Sequence, residues 1–139
     1  MAPNRTQSRR GFTLVEAAMV IAIVGLLLGI AVPRFTGMRN GLLLDAAAYQ
    51  LAGDLRRAQV EAIKRNATVT VAKTATTTYN ITFIGNRTFE PGVEFAAGAM
   101  TVSLASFGPP IGGGATFTVS NAGRTKSVVV GANGLVTVQ

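Results

Sequence analysis

The chain has no cysteine and no histidine among its 139 residues. Without cysteine there is no disulfide framework and no thiolate metal site, and without histidine there is no imidazole ligand. Nucleophilic catalysis by a Ser-His or Cys-His pair is excluded on the same ground. The missing cysteines do not reveal a compartment, because a domain with an adequate core dispenses with disulfides anywhere. Acidic residues are scarce: 6 against 13 basic, a net charge of +7. Such a balance suits nucleic acid or an anionic membrane surface. Three of the cations, Arg5, Arg9 and Arg10, lie in the first ten positions. Without them ten basic residues face six acidic ones, +4, and the argument for nucleic acid weakens. The length suits one modest domain.

One long apolar run is present. Phe12 to Val32 reads FTLVEAAMVIAIVGLLLGIAV, 21 residues in which only Thr13 and Glu16 are strongly polar. A helix of that length spans about 31 Å, against a hydrocarbon core of about 30 Å. Arginines precede it, and Arg34 and Arg39 follow. The positive-inside rule mildly favours a cytoplasmic N-terminus and an external remainder. Three readings compete: a secretory signal peptide, a twin-arginine signal on Ser8-Arg9-Arg10-Gly11-Phe12, and a retained helix. Both signals call for a shorter apolar stretch and an A-x-A-like site, whereas Pro33-Arg34-Phe35 follows here. The retained helix is therefore preferred. Glu16 weighs the same way. A carboxylate in oil costs about 2.5–3.5 kcal/mol on insertion scales, so it reads as functional with a partner to be named. Snorkelling to the headgroups is the plainer alternative.

The junction Arg9-Arg10-Gly11-Phe12-Thr13-Leu14-Val15-Glu16 resembles the class III leader junction of type IV prepilins and type II secretion pseudopilins. The resemblance implies a prepilin peptidase that cuts between Gly11 and Phe12 and N-methylates Phe12. Glu16 then becomes the fifth mature residue, the position that meets the terminal amine of a neighbouring subunit in that family. The chemistry is coherent. Glycine admits a protease to the backbone, and cleavage frees a cation for the acid. A charge pair in a low-dielectric core would set register, as buried polar groups do in coiled coils. Pro33 falls where many pilins carry a helix-kinking proline. By itself Pro33 either kinks the helix or marks the membrane exit. Gly25 and Gly29 form a G-x-x-x-G pair, which reads either as a close-packing face or as ordinary membrane-helix glycine.

Beyond Pro33, Leu44, Ala48, Leu51, Leu55, Ala58 and Ala62 recur at steps of 4, 3, 4, 3 and 4, one apolar face of an amphipathic helix. Arg56, Arg57, Glu61, Lys64 and Arg65 take the polar side, where Arg57, Lys64 and Arg65 are each spaced to pair with Glu61. Asn66 is the expected stop, and Gly37 and Gly41 an expected loosening. From Ala67 the period becomes two. Strands are expected at 68–73, 79–83, 93–95, 100–105, 115–120, 127–130 and 135–138. Turns are expected at Gly85-Asn86, Asn121-Ala122-Gly123 and Asn133-Gly134. The fold class is α+β, a long N-terminal helix packed on a small antiparallel β head. The expected divisions are a leader at 1–11, a transmembrane and assembly helix at 12–33, an amphipathic helix at 34–66 and a head at 67–139. The run Leu51–Asn66 is similar to the GspH/FimT branch of pseudopilins and minor pilins.

No catalytic site, metal site or cofactor is expected. Glu90 and Glu94 flank Pro91-Gly92 and read as solvated turn residues rather than an acid–base pair. Pro109–Gly114 lacks the Lys-Ser/Thr of a phosphate loop and reads as a mobile connector. Some FimT-like minor pilins resemble DNA receptors that carry a Gly-Arg-x-Arg element. Gly123-Arg124-Thr125-Lys126 has that charge, but the last hairpin reads Gly134-Leu135-Val136-Thr137. Arg124 and Lys126, with Arg87, make a thin patch that is either a phosphate contact or a solvated hairpin. The expected role is a minor pilin or pseudopilin of a pilus, secretion or competence apparatus. It would be anchored once in the inner membrane with its head outside the cytoplasm, then assembled with other subunits. A DNA-binding minor pilin is the alternative.

Overall fold

The computed structural model describes residues 12–96 and 98–139. The expected leader, with Gly11, lies outside the described residues. The chain divides into two compact units after Gly37.

Helix α1 runs from Leu14 to Arg65 with Pro33 inside it. Its start is capped locally. Thr13 Oγ1 accepts from the Glu16 amide at 3.2 Å, and the Thr13 carbonyl accepts from Ala17 N at 3.1 Å. Thr13-x-x-Glu16 is thus the Ser/Thr-x-x-Glu spacing of a capping box, and Glu16 also sits where the helix dipole favours an anion. The helix ends as expected at Asn66, in the left-handed region with φ 47°. Asn66 N donates to Ile63 O and Ala67 N to Ala62 O, the paired bonds of a Schellman motif. The helix is assigned unbroken through Pro33, Gly37 and Gly41.

From Phe12 to Val32 every residue is exposed. The later segment behaves differently. Leu44, Ala48, Leu51, Leu55, Ala58 and Ala62 are all buried, joined by Ala47 and Ala52. The expected face is therefore the face that meets the core.

Eight strands follow: β1 Val69–Lys73, β2 Thr78–Ile81, β3 Gly85–Thr88, β4 Glu94–Phe95, β5 Thr101–Leu104, β6 Ala115–Asn121, β7 Arg124–Val130 and β8 Val136–Val138. They form two antiparallel four-stranded sheets in the orders β3-β2-β1-β5 and β4-β6-β7-β8. The inward faces of both sheets and the apolar face of α1 share one core. At its centre Tyr79, Phe89, Phe95 and Phe117 form an aromatic chain with centroids 4.8–6.4 Å apart.

Three local expectations are corrected. The turn at Gly85-Asn86 falls instead at Thr82–Ile84, with Phe83 at φ 69°. Gly85–Thr88 is the edge strand β3, because pairing to β2 outweighs the turn preference of Gly and Asn. The segment expected as a connector is partly ordered against β5: Pro110 bridges Leu104, and Ile111 N donates to Ser103 O at 2.7 Å. The pairing of Glu61 falls to Arg65 at 2.8 Å and Lys64 at 3.8 Å, while Arg57 makes no ion pair among the described residues.

Helix α1 also closes sheet edges. Gln50 donates to Thr88 O on β3, Arg56 to Val136 O on β8, and Gln59 to Gly134 O. Backbone carbonyls that would otherwise template another strand are thereby occupied.

Candidate functional site

Two regions hold the expected site residues. The first is the start of α1. Phe12 and Thr13 precede the helix, and Glu16 lies exposed in its first turn. The helix is long and apolar enough to cross a membrane, and none of its apolar window is buried in the chain. Gly25 and Gly29 have open space where a side chain would stand, so the notch they make is unfilled. Pro33 contributes no amide to the helix ladder, and Thr36 Oγ1 donates to its carbonyl at 2.9 Å. The capping role of Thr13 was legible in the spacing to Glu16, but reading Glu16 only as a membrane charge passes over it.

The second region is β7. Arg124 and Lys126 fall at the same alternate positions of the strand as Val128 and Val130, which are buried. Strand pleating therefore aims both cations at the helix side of the sheet. Lys126 Nζ lies 2.8 Å from Asp45 Oδ1 and 5.9 Å from the centre of the Tyr49 ring. Its hydrogen bond to Asp45 raises its pKa. Arg124 reaches over Gly41, where a Cβ would meet its Nη1 at 3.2 Å. Next to it, Asn121 Nδ2 donates to Asn40 O at 3.3 Å. Arg87, the third member of the expected patch, is drawn toward Asp54 at 3.6 Å. Two of the three cations thus have anionic partners within the chain.

Asp54 also accepts from Tyr79 Oη at 2.8 Å, and Tyr79 Oη in turn accepts from Gln50 Nε2 at 3.3 Å. Burial, then the bond to Asp54, hold the Tyr79 phenol well above its usual pKa. No local pattern announces this cluster, because its members come from α1, β2 and β3. Among the described residues no group of His, Cys, Asp or Glu is arranged to hold a metal ion.

Residues 6–32 match the family described as "Prokaryotic N-terminal methylation motif". The chain is 43% identical over 94 residues to the pilin-like protein PilA1 of Thermus thermophilus, covering 65% of this chain and 59% of that protein. It is 45% identical over 56 residues to the type IV narrow pilus major component PilA5 of the same organism, covering 38% of this chain and 48% of that protein. The chain therefore spans between about half and three-fifths of the length of these relatives. In fold it is similar to two crystal structures of the type IV minor pilin FimU of Pseudomonas aeruginosa. Their TM-scores are 0.60 and 0.62 at 12% and 13% identity, covering 69% and 73% of this chain and 92% and 90% of those. The long N-terminal helix with an antiparallel head is the type IV pilin fold. With the methylation motif at its N-terminus, the chain is similar to type IV pilin-like proteins in sequence and has their fold.

Proposed function

We propose that the chain is a structural subunit of a type IV pilus-type filament, made as a precursor and processed at Gly11–Phe12. A prepilin peptidase removes residues 1–11 and N-methylates Phe12. Residues 12–33 hold the subunit in the inner membrane with its head outside the cytoplasm, then pack among other subunits. Residues 34–66 carry the helix into the head at 67–139. Glu16 takes the cationic amine of a neighbouring subunit. Gly25 and Gly29 give the close approach, and Pro33 marks the helix where the membrane segment ends.

The observation that carries this reading is the apolar segment 12–32 at the start of the N-terminal helix, every residue of which is exposed among the described residues. Such a surface needs lipid or other subunits around it. The names of the Thermus relatives support a pilus over a secretion or competence apparatus, and a mechanical role over an enzymatic one. The placement of Arg124 and Lys126 does not favour the DNA-binding alternative.

The test is the shear fraction of cells producing the wild type or Glu16→Gln. Glutamine keeps the N3 capping preference and the length but removes the charge. Wild-type chain in filaments with Glu16→Gln left in the membrane supports the reading. Equal incorporation removes the charge from the mechanism.

A further inference from the structure

At the C-terminal end of α1 the head has an open cleft of about 240 Å³. Three separate pieces of chain line it: Gln59 and Ile63, one turn apart on α1, Phe107-Gly108-Pro109 after β5, and Asn133-Gly134 before β8. No charged side chain is among them. A carboxylate or phosphate group would lose water there and meet no counter-ion, so the lining suits a neutral ligand. The volume falls below the about 300–1,000 Å³ of sites for drug-sized ligands, which suits a single ring.

Both loops of the cleft are closed by their own hydrogen bonds, so the site needs little ordering when a ligand enters. Ala105 N donates to Pro109 O at 2.8 Å and Gly108 N to Ala105 O at 2.9 Å. Gly131 N donates to Leu135 O and Gly134 N to Gly131 O, both at 2.8 Å. A Cβ on Gly134 would lie 3.5 Å from Pro109 Cα, and one on Gly108 would lie 3.4 Å from Ile63 Cδ1. The two loops therefore pass close to each other, and the first rests on the helix.

The lining offers two kinds of contact. Phe107 is 75% exposed and stacks on no other ring among the described residues. Ile63 and Pro109 extend this apolar wall. The other kind comes from two carboxamides, each half committed. Gln59 Nε2 donates to Gly134 O at 2.6 Å, which leaves Gln59 Oε1 to accept. Asn133 Oδ1 accepts from Leu135 N at 3.0 Å, which leaves Asn133 Nδ2 to donate. Neither spare atom has a protein partner among the described residues.

We propose that the cleft binds a neutral sugar. A pyranose ring has a face of C–H bonds and a rim of hydroxyls that both donate and accept. The C–H face lies on Phe107, and rim hydroxyls donate to Gln59 Oε1 and accept from Asn133 Nδ2. A wholly apolar ligand would leave both amide atoms desolvated and unpaired. The sugar is either free or part of a polysaccharide, and the ring that is recognised is the same. All the residues of the site belong to the head, so it stands or falls apart from the filament reading.

The test uses the full-length chain in a detergent without a sugar headgroup. Saturation-transfer NMR is run with the methyl glycosides of glucose, galactose, mannose and N-acetylglucosamine. The site predicts transfer to at least one of them, strongest at the protons of one ring face. Phe107→Leu removes the aromatic ring and keeps an apolar wall. Asn133→Asp removes the donor and keeps the oxygen that accepts from Leu135. Each variant loses the transfer. Absence of transfer to every glycoside overturns the proposal, and so does transfer that survives either substitution. Dextran and agarose beads separate the two sources. Retention of the wild type on either bead, released by the free glycoside, supports a polysaccharide as the ligand. Transfer without retention supports a free sugar.

Discussion

Lys126 Nζ on β7 stands 2.8 Å from Asp45 Oδ1 on α1, and with Asn121 on Asn40 it fastens the β6–β7 hairpin to the helix where the helix enters the head. Neither side chain of the ion pair is fully buried, so screening reaches it. Asp45→Asn and Lys126→Gln each lower the melting temperature slightly, and the double variant lowers it no further. At about 1 M salt, where the screening length is about 3 Å, the coupling disappears. A coupling that salt leaves untouched contradicts a charge-based clasp.

The same geometry makes a prediction about nucleic acid. Lys126 is occupied by Asp45 and shares the helix-facing side with Arg124. Arg124→Ala with Lys126→Ala therefore leaves the retention of duplex DNA by the full-length protein unchanged at low salt. A binding loss in that variant would make the pair a phosphate contact.

Tyr79 supplies a pH-dependent term. Its hydroxyl is buried and donates to Asp54, which also draws Arg87. Tyr79→Phe costs about 1–3 kcal/mol, because it leaves Asp54 short of a donor. The folded phenol has a pKa above its unfolded value. Its contribution is thus complete below the unfolded value near about 10 and is lost as pH climbs from there toward the folded value. Alkaline denaturation midpoints test this. The fall in stability above about pH 10 is shallower in Tyr79→Phe, with the residue due to Lys126, whose pKa is also raised.

Much of the fold was written in local pattern. The steps between Leu44 and Ala62 specified the buried helix face, Asn66 the stop and Asn121-Ala122-Gly123 the hairpin. These signals work because side-chain period and left-handed backbone are properties of neighbouring residues. Strand β3 was hidden, because Gly85-Asn86-Arg87-Thr88 has turn composition and becomes a strand only through β2. The partners of Lys126 and Tyr79 were hidden for the same reason: Asp45 and Asp54 are close in space and distant in sequence. At the proposed functional end the motif at Gly11–Glu16 was plain, while its second role as a helix cap needed the Thr13 hydroxyl to be placed.

Two backbone positions give opposite expectations. Ala122 holds φ 49° in the two-residue turn beside Gly123, a conformation that costs a residue with a Cβ about 1–2 kcal/mol. Ala122→Gly relieves that cost and Ala122→Asn lowers it, so both raise the melting temperature. Gly114 leaves no room: an added Cβ would sit 2.6 Å from Val130 O. Gly114→Ala lowers the melting temperature, and an increase would show that the β6–β7 entry gives way.

Leu51 lies fully buried on the helix face that meets both sheets. Leu51→Ala costs about 2–5 kcal/mol, read from thermal or urea unfolding of the full-length protein in detergent. Leu42, exposed on the same helix, serves as the control, and Leu42→Ala changes stability by no more than about 0.5 kcal/mol.

The proposed assembly centres on Glu16, an acid at the head of an apolar helix, which in that proposal would gain a cationic neighbour only once the peptide bond before Phe12 is cut. Mass spectrometry of the N-terminal peptide from the filament-associated chain reads this directly. The account predicts a peptide that begins at Phe12 and carries one methyl group on its amine. A filament-associated chain that still carries residues 1–11 would leave Glu16 without that cation and contradict the assembly mechanism.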